Sequence, residues 1–156
     1  MMRVLALDVG DKHIGVAISD PTQSLARSLG VIEHVSPRQD FAAVVRLVEQ
    51  YEVETVVVGY PRSLDGTTGL QAQKVEQFVA GLTEVLSSAK DHVPVLLWDE
   101  RLSTVSADRL MSEAGLKGKK KRERLDAAAA AVILQDYLDS ELQNPKLKAQ
   151  SPKFEK

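Results

Sequence analysis

The stretch Val4 to Val9 (Val-Leu-Ala-Leu-Asp-Val) is apolar on both of its alternating sides, with Asp8 as the one exception. An apolar run this short, with no polar face, reads as a β-strand covered on both sides of its sheet. Gly10-Asp11-Lys12 has turn chemistry, and Ile14 to Ser19 forms a second apolar run. A connection this short permits only an antiparallel hairpin.

The rest of the chain alternates between the two kinds of element. A third strand is expected over Leu29 to Val35. Ser36-Pro37-Arg38-Gln39 then supplies an N-cap, a proline at the first helical position and a capping-box glutamine. Phe41, Val44, Val45 and Val48 follow at helical spacing. Thr55 to Gly59 is a valine-rich strand, and Tyr60 to Gly69 is a loop with a proline and two glycines. A long helix carries the stripe Val75, Phe78, Val79, Leu82, Val85 and Leu86. Pro94 to Trp98 is a strand ending in Asp99-Glu100. Ser103 to Ala114 reads as a helix closed by Gly115, and a last helix runs from about Arg124 to Leu142. Helical crossovers between successive strands make them parallel, so a mixed sheet is expected. Residues 1–142 read as one domain, and the polar, basic segment 143–156 as a flexible tail.

At 156 residues the chain can bury a real core, and no apolar run approaches the length of a membrane span. The opening Met-Met-Arg-Val-Leu leads straight into the first strand and lacks the parts of a secretory leader. There is no cysteine, which excludes disulfides, thiolate metal sites and a thiol nucleophile. A cytoplasmic location is the expectation.

Ligands of open α/β sheets bind beyond the carboxyl ends of the parallel strands. Asp8 lies near the end of the first strand, while Asp99 and Glu100 close the last. Asp8 alternates with Val4 and Ala6, so it points to a covered face, where a carboxylate is costly without a cation or several donors. The alternative is that Asp8 caps the following turn. Asp126 lies nine residues before Gln135, half a helical turn from the polar side at Gln135, Asp136 and Asp139. It shares a stripe with Ala129, Ala130, Ile133 and Tyr137, although an acid in a first turn also complements the helix dipole. Acids converging at one edge repel unless a hard cation neutralises them, and oxygen-only ligation suits Mg²⁺ or Mn²⁺. Two such ions can activate water and clamp a scissile phosphate. Of His13, His34 and His92, His13 alone falls near the hairpin turn.

These residues carry a resemblance. Asp8-Val-Gly-Asp-Lys-His-Ile-Gly-Val-Ala-Ile-Ser-Asp20 resembles the opening motif of the YqgF/RuvX family. Val58 to Gly66, Trp98 to Thr104 and Leu125-Asp-Ala-Ala-Ala-Ala resemble its second, third and fourth motifs, in order and over most of the chain. The resemblance implies an RNase H-like fold of three layers, a mixed five-stranded sheet flanked by helices. It also implies a place among Holliday junction resolvases and pre-16S rRNA processing nucleases. The superfamily's acids match Asp8, Glu100 and Asp126 as catalytic and metal-binding residues, with Asp99 as the alternative to Glu100. The family's usual arginine before Ile-Gly-Val-Ala is replaced by His13, leaving Lys12 and His13 as the candidates for a phosphate contact there.

Lys117, Lys119, Lys120, Lys121, Arg122 and Arg124 fall within eight residues, although the net charge is only −2. Such a cluster is either a solvated loop or a grip on a nucleic-acid backbone. Arg62 and Arg101 are further candidates for holding a phosphate. Structured RNA, branched DNA or single-stranded DNA are the expected partners, and a homodimer would favour paired cuts in a symmetric junction. Two rivals compete with this reading. Actin-like ATPases and sugar kinases share an Asp-x-Gly hairpin but need two lobes, for which this chain has no room. A non-catalytic nucleic-acid-binding or assembly factor could keep the same fold.

Overall fold

The computed structural model describes residues 3–10, 12–60, 69–88, 92–99 and 118–143, except for the side chains of residues 99, 118–126, 142 and 143. The elements, in chain order, are β1 (Arg3–Val9), β2 (His13–Ser19), β3 (Ala26–Glu33), α1 (Pro37–Gln50), β4 (Val53–Tyr60), α2 (Leu70–Ser87), β5 (Val95–Asp99) and α3 (Gly118–Gln143). The sheet order is β3-β2-β1-β4-β5. β1–β2 and β2–β3 pair antiparallel, while β1–β4 and β4–β5 pair parallel. The mixed five-stranded sheet is therefore as expected, with β1 at its centre.

Alternation along β1 separates two cores. Leu5, Leu7 and Val9 pack with Ile14, Val16, Ile18, Val44, Val56, Val58, Val75 and Leu82, on the face covered by α1 and α2. Val4 and Ala6 pack with Ala17, Val57, Leu96, Ala130, Ile133, Leu134 and Tyr137, on the face covered by α3. α1 begins as its sequence predicts: Pro37 opens it and Ser36 Oγ accepts from Gln39 N at 3.3 Å.

Three expectations need correction. β3 spans Ala26–Glu33 rather than 29–35. It is an edge strand with exposed polar residues, and the pairing with β2 shifts register where Leu29 is the extra residue before Gly30, whose φ is +129°. That bulge breaks the alternation by which the strand would have been read. Val85 is 37% exposed, at the rim of the α2 stripe rather than within it. α3 begins at Gly118, six residues before Arg124. Lysine, arginine and glutamate are good helix formers, so the basic run 119–124 starts the helix rather than forming a loop before it. The helix expected over 103–114 and the tail beyond Gln143 lie outside the described residues. Among those residues, no helix is long and apolar enough to cross a membrane.

Candidate active site

Residue pairing aligns the carboxyl ends of three strands. Leu7 pairs with Val58, and Tyr60 with Asp99, which brings the ends of β1, β4 and β5 to one edge. Asp8 is one step inside that edge, half-buried, in the alternation set of Val4 and Ala6 that faces α3. On β2 its register partner is Gly15. On β4 the residue after Val58 is Gly59, itself paired with Trp98. Asp8 is thus flanked across both neighbouring strands by glycines. Glycine inside a strand weakens it and often marks a place where another group approaches closely. β5 lies two strand spacings from β1, about 10 Å.

The same pairing fixes the face on which position 99 lies. Asp99 falls in the alternation set of Val95 and Leu97, which pack on the α1/α2 face. Leu96 and Trp98 belong to the α3 face, the face of Asp8. Trp98 ties β5 to α3: its indole N–H donates to Asp136 Oδ2 at 2.9 Å, and its ring meets Tyr137 edge-on with centroids 5.4 Å apart.

On α3, Ala130, Ile133 and Tyr137 are all buried. Asp126 precedes them by four, seven and eleven residues, so its position falls on the same helical stripe. The next residue, Ala127, is anchored to the sheet, its carbonyl accepting from Ser28 Oγ at 3.2 Å. Gln135 fastens the helix lower down, its side chain accepting from Ala26 N and donating to Ser24 O, each at 2.9 Å.

Among the other predicted residues, Lys12 is exposed at the hairpin and His13 is buried, 8% exposed, at the start of β2. Lys119, Lys120, Lys121, Arg122 and Arg124 lie on α3. Glu100, Arg62, Arg101 and Lys117 lie outside the described residues. His13 is not the sole histidine near the hairpin, as the sequence suggested. His34 Nε2 lies 2.8 Å from the carbonyl oxygen of Gly10, and its Nδ1 lies 2.7 Å from Oδ2 of the buried Asp40. The sequence signal for His34 is positional: β3 runs antiparallel to β2, and His13 pairs with Glu33, so the residue after β3 meets the turn before β2. On the other face of the sheet, a cavity of about 400 Å³ lies between α1 and α2, lined by Val9, Gly10, His34, Phe41, Lys74 and Phe78. Asp8 faces away from it.

Solved structures share this arrangement. The chain superposes on Thermus thermophilus RuvC in complex with a Holliday junction substrate with a TM-score of 0.57 at 18% identity, covering 91% of this chain and 96% of that one. It superposes on Fowlpox virus resolvase in complex with Holliday junction DNA with a TM-score of 0.58 at 14% identity, covering 90% and 99%. The fold is that of the RuvC-like, RNase H-like resolvases. The family model described as "RuvX: Holliday junction resolvase" matches residues 2–140, and the chain belongs to this nuclease family. Among its relatives, the "Putative pre-16S rRNA nuclease" of Thermoanaerobacter pseudethanolicus is 45% identical over 141 residues, covering 90% of this chain and 98% of the relative. The protein of the same name from Geobacillus kaustophilus is 44% identical over 141 residues, covering 89% and 99%.

Proposed function

We propose that this protein is a divalent-metal-dependent nuclease that hydrolyses phosphodiester bonds in structured nucleic acid, with Asp8, Glu100 and Asp126 as its carboxylates. The observation that carries the reading is the placement of Asp8: a half-buried carboxylate at the carboxyl edge of the parallel strands, flanked by glycines and facing the helix that bears Asp126. Oxygen donors on a covered face fit a hard cation, Mg²⁺ or Mn²⁺. When bound, the metal would supply Lewis acidity toward the phosphate and a more acidic water. Asp8 and Asp126 hold negative charge on that face, and strand alternation favours Glu100 over Asp99 as the third acid. Lys12 and the basic first turns of α3 would hold substrate phosphates on either side of the acids. Such contacts supply affinity and salt sensitivity rather than sequence choice. The names of the relatives favour precursor 16S rRNA as the substrate, with four-way DNA junctions as the second candidate. Paired cuts in a junction would require a homodimer. A cytoplasmic location suits either substrate.

The test is a panel of precursor 16S rRNA fragments, four-way junctions and single-stranded DNA, each with Mg²⁺, Mn²⁺ or chelator. Divalent-dependent cutting is expected, and Asp8→Asn and Asp126→Asn should each lower it by about three orders of magnitude while the fold is retained. Normal cutting by either variant retires the assignment. Binding without cutting across the whole panel would identify an assembly factor that keeps the fold.

A further inference from the structure

The two carbonyl groups that follow Asp8 are both held by side chains from distant elements. Gln71, in the first turn of α2, donates from Nε2 to the Val9 carbonyl. His34 Nε2 is 2.8 Å from the Gly10 carbonyl. The His34 backbone also takes part, its N–H donating to Lys12 O at 3.0 Å. His34 is fixed in turn by Asp40, which is 5% exposed: Oδ2 meets His34 Nδ1 at 2.7 Å and Oδ1 accepts from Val35 N at 3.1 Å.

The chemistry of the partners sets the protons. A carbonyl oxygen only accepts, so Nε2 carries a hydrogen. A hydrogen between Nδ1 and the Asp40 carboxyl joins the second ring nitrogen and fixes the orientation of the ring. Part of this arrangement serves α1, because Asp40 satisfies the Val35 N–H just ahead of the helix. The bond from His34 Nε2 to Gly10 has no part in that capping. Gly10 is also tight against the chain, since a Cβ built on it would lie 2.9 Å from the His13 carbonyl oxygen. The loop is therefore braced at Val9, Gly10 and Lys12 from outside the hairpin, immediately beyond the acid.

We propose that His34, oriented by Asp40, and Gln71 are positioning residues that set the Asp8 carboxylate by clamping the two carbonyls after it. This rests on Asp8 being the catalytic acid. The experiment uses the full chain and the variants His34→Ala, His34→Gln, Asp40→Asn and Gln71→Ala. Steady-state cleavage of the best panel substrate is measured beside amide hydrogen exchange over residues 8–13. His34→Ala and Gln71→Ala should each lower kcat by about 10- to 100-fold with KM within about twofold, as supporting groups of a site do. Exchange should quicken over residues 8–13 and stay unchanged in the middle of α1 and α2. His34→Gln, which keeps a donor toward Gly10, should recover part of both losses, and it carries the test if the alanine variant fails to fold. Parental kcat with a loosened loop would cut the link to Asp8. Unchanged exchange over residues 8–13 would refute the clamp, and loosening spread through α1 would reduce the residues to helix support. A parent chain that cuts nothing refutes the nuclease reading instead, and the exchange measurement still decides the clamp.

Discussion

The two faces of the sheet are built from the same strands on opposite plans. Toward α1 and α2, β1 and β2 present Leu5, Leu7, Val9, Ile14, Val16 and Ile18, which interlock with the valine and leucine stripes of two helices. Toward α3 they present Val4, Ala6, Ala17 and Gly15, matched by Ala127, Ala129 and Ala130 on the helix. Small residues on both sides let α3 lie close to the sheet, and Asp8 ends the row. Bulk on one face holds the fold together, while small residues on the other leave α3 close to the strand that carries Asp8.

That contrast can be broken by substitutions on each side. Leu82→Ala, on the bulky face, should cost about 2–5 kcal/mol of stability by chemical denaturation. Cleavage per folded molecule should stay near parental, and a large loss of specific activity would show that the faces are not separable. Ala130→Leu, on the close face, should cost about 1–3 kcal/mol by overpacking. It lifts α3 and with it Asp126, so specific activity should fall more steeply than stability, and the reverse order would sink the comparison.

Two pH measurements sharpen it further. Burial on the α3 face, with smaller contributions from Glu141 and Glu54, pushes the Tyr137 phenol from its ordinary 10.0 up to about 12. In the unfolded chain it loses its proton first, so the stability it provides is intact below pH 10 and is lost as pH rises toward 12. Comparing parent and Tyr137→Phe by denaturation at pH 9 and pH 11.5 isolates this, and equal slopes would mean that the face is wet. The smallest effect belongs to neither face. In the β2–β3 turn, the Leu25 N–H, the Thr22 hydroxyl and the Ser24 N–H hold the Asp20 carboxyl down at about 2 from 3.8. Its contribution is present above pH 3.8 and fades as pH falls through 2. Asp20→Asn should flatten the acid limb of stability slightly without altering cleavage.

Much of this was legible because it follows from local alternation. The doubly covered β1, the tight hairpin, the cap at Ser36 and the face of Asp8 all depend on residues close in sequence. That position 126 lies on the helical stripe of Ala130, Ile133 and Tyr137 could be read from its nine-residue offset to Gln135. What escaped depends on pairing at a distance. The start of β3 was obscured by the bulge at Gly30, and without that register nothing linked His34 to the hairpin turn. The flanking of Asp8 by Gly15 and Gly59 likewise emerges only when three strands are laid side by side. The onset of α3 was missed because a run of like charges looks like a loop even when each residue favours helix.

α3 is longer than the sheet beneath it. Its 26 residues span about 39 Å, against about 23 Å for the seven residues of β1. The tie from Ser28 to Ala127 comes nine residues into the helix, so residues 118–126 form a leading segment of about 13 Å ahead of that tie. That segment runs from Gly118 to Asp126, and five of its nine residues are cations. Its charge can change by substitution without touching the packed helix beyond it, where Ala130, Ile133 and Leu134 meet Val4, Ala6 and Ala17 of the sheet.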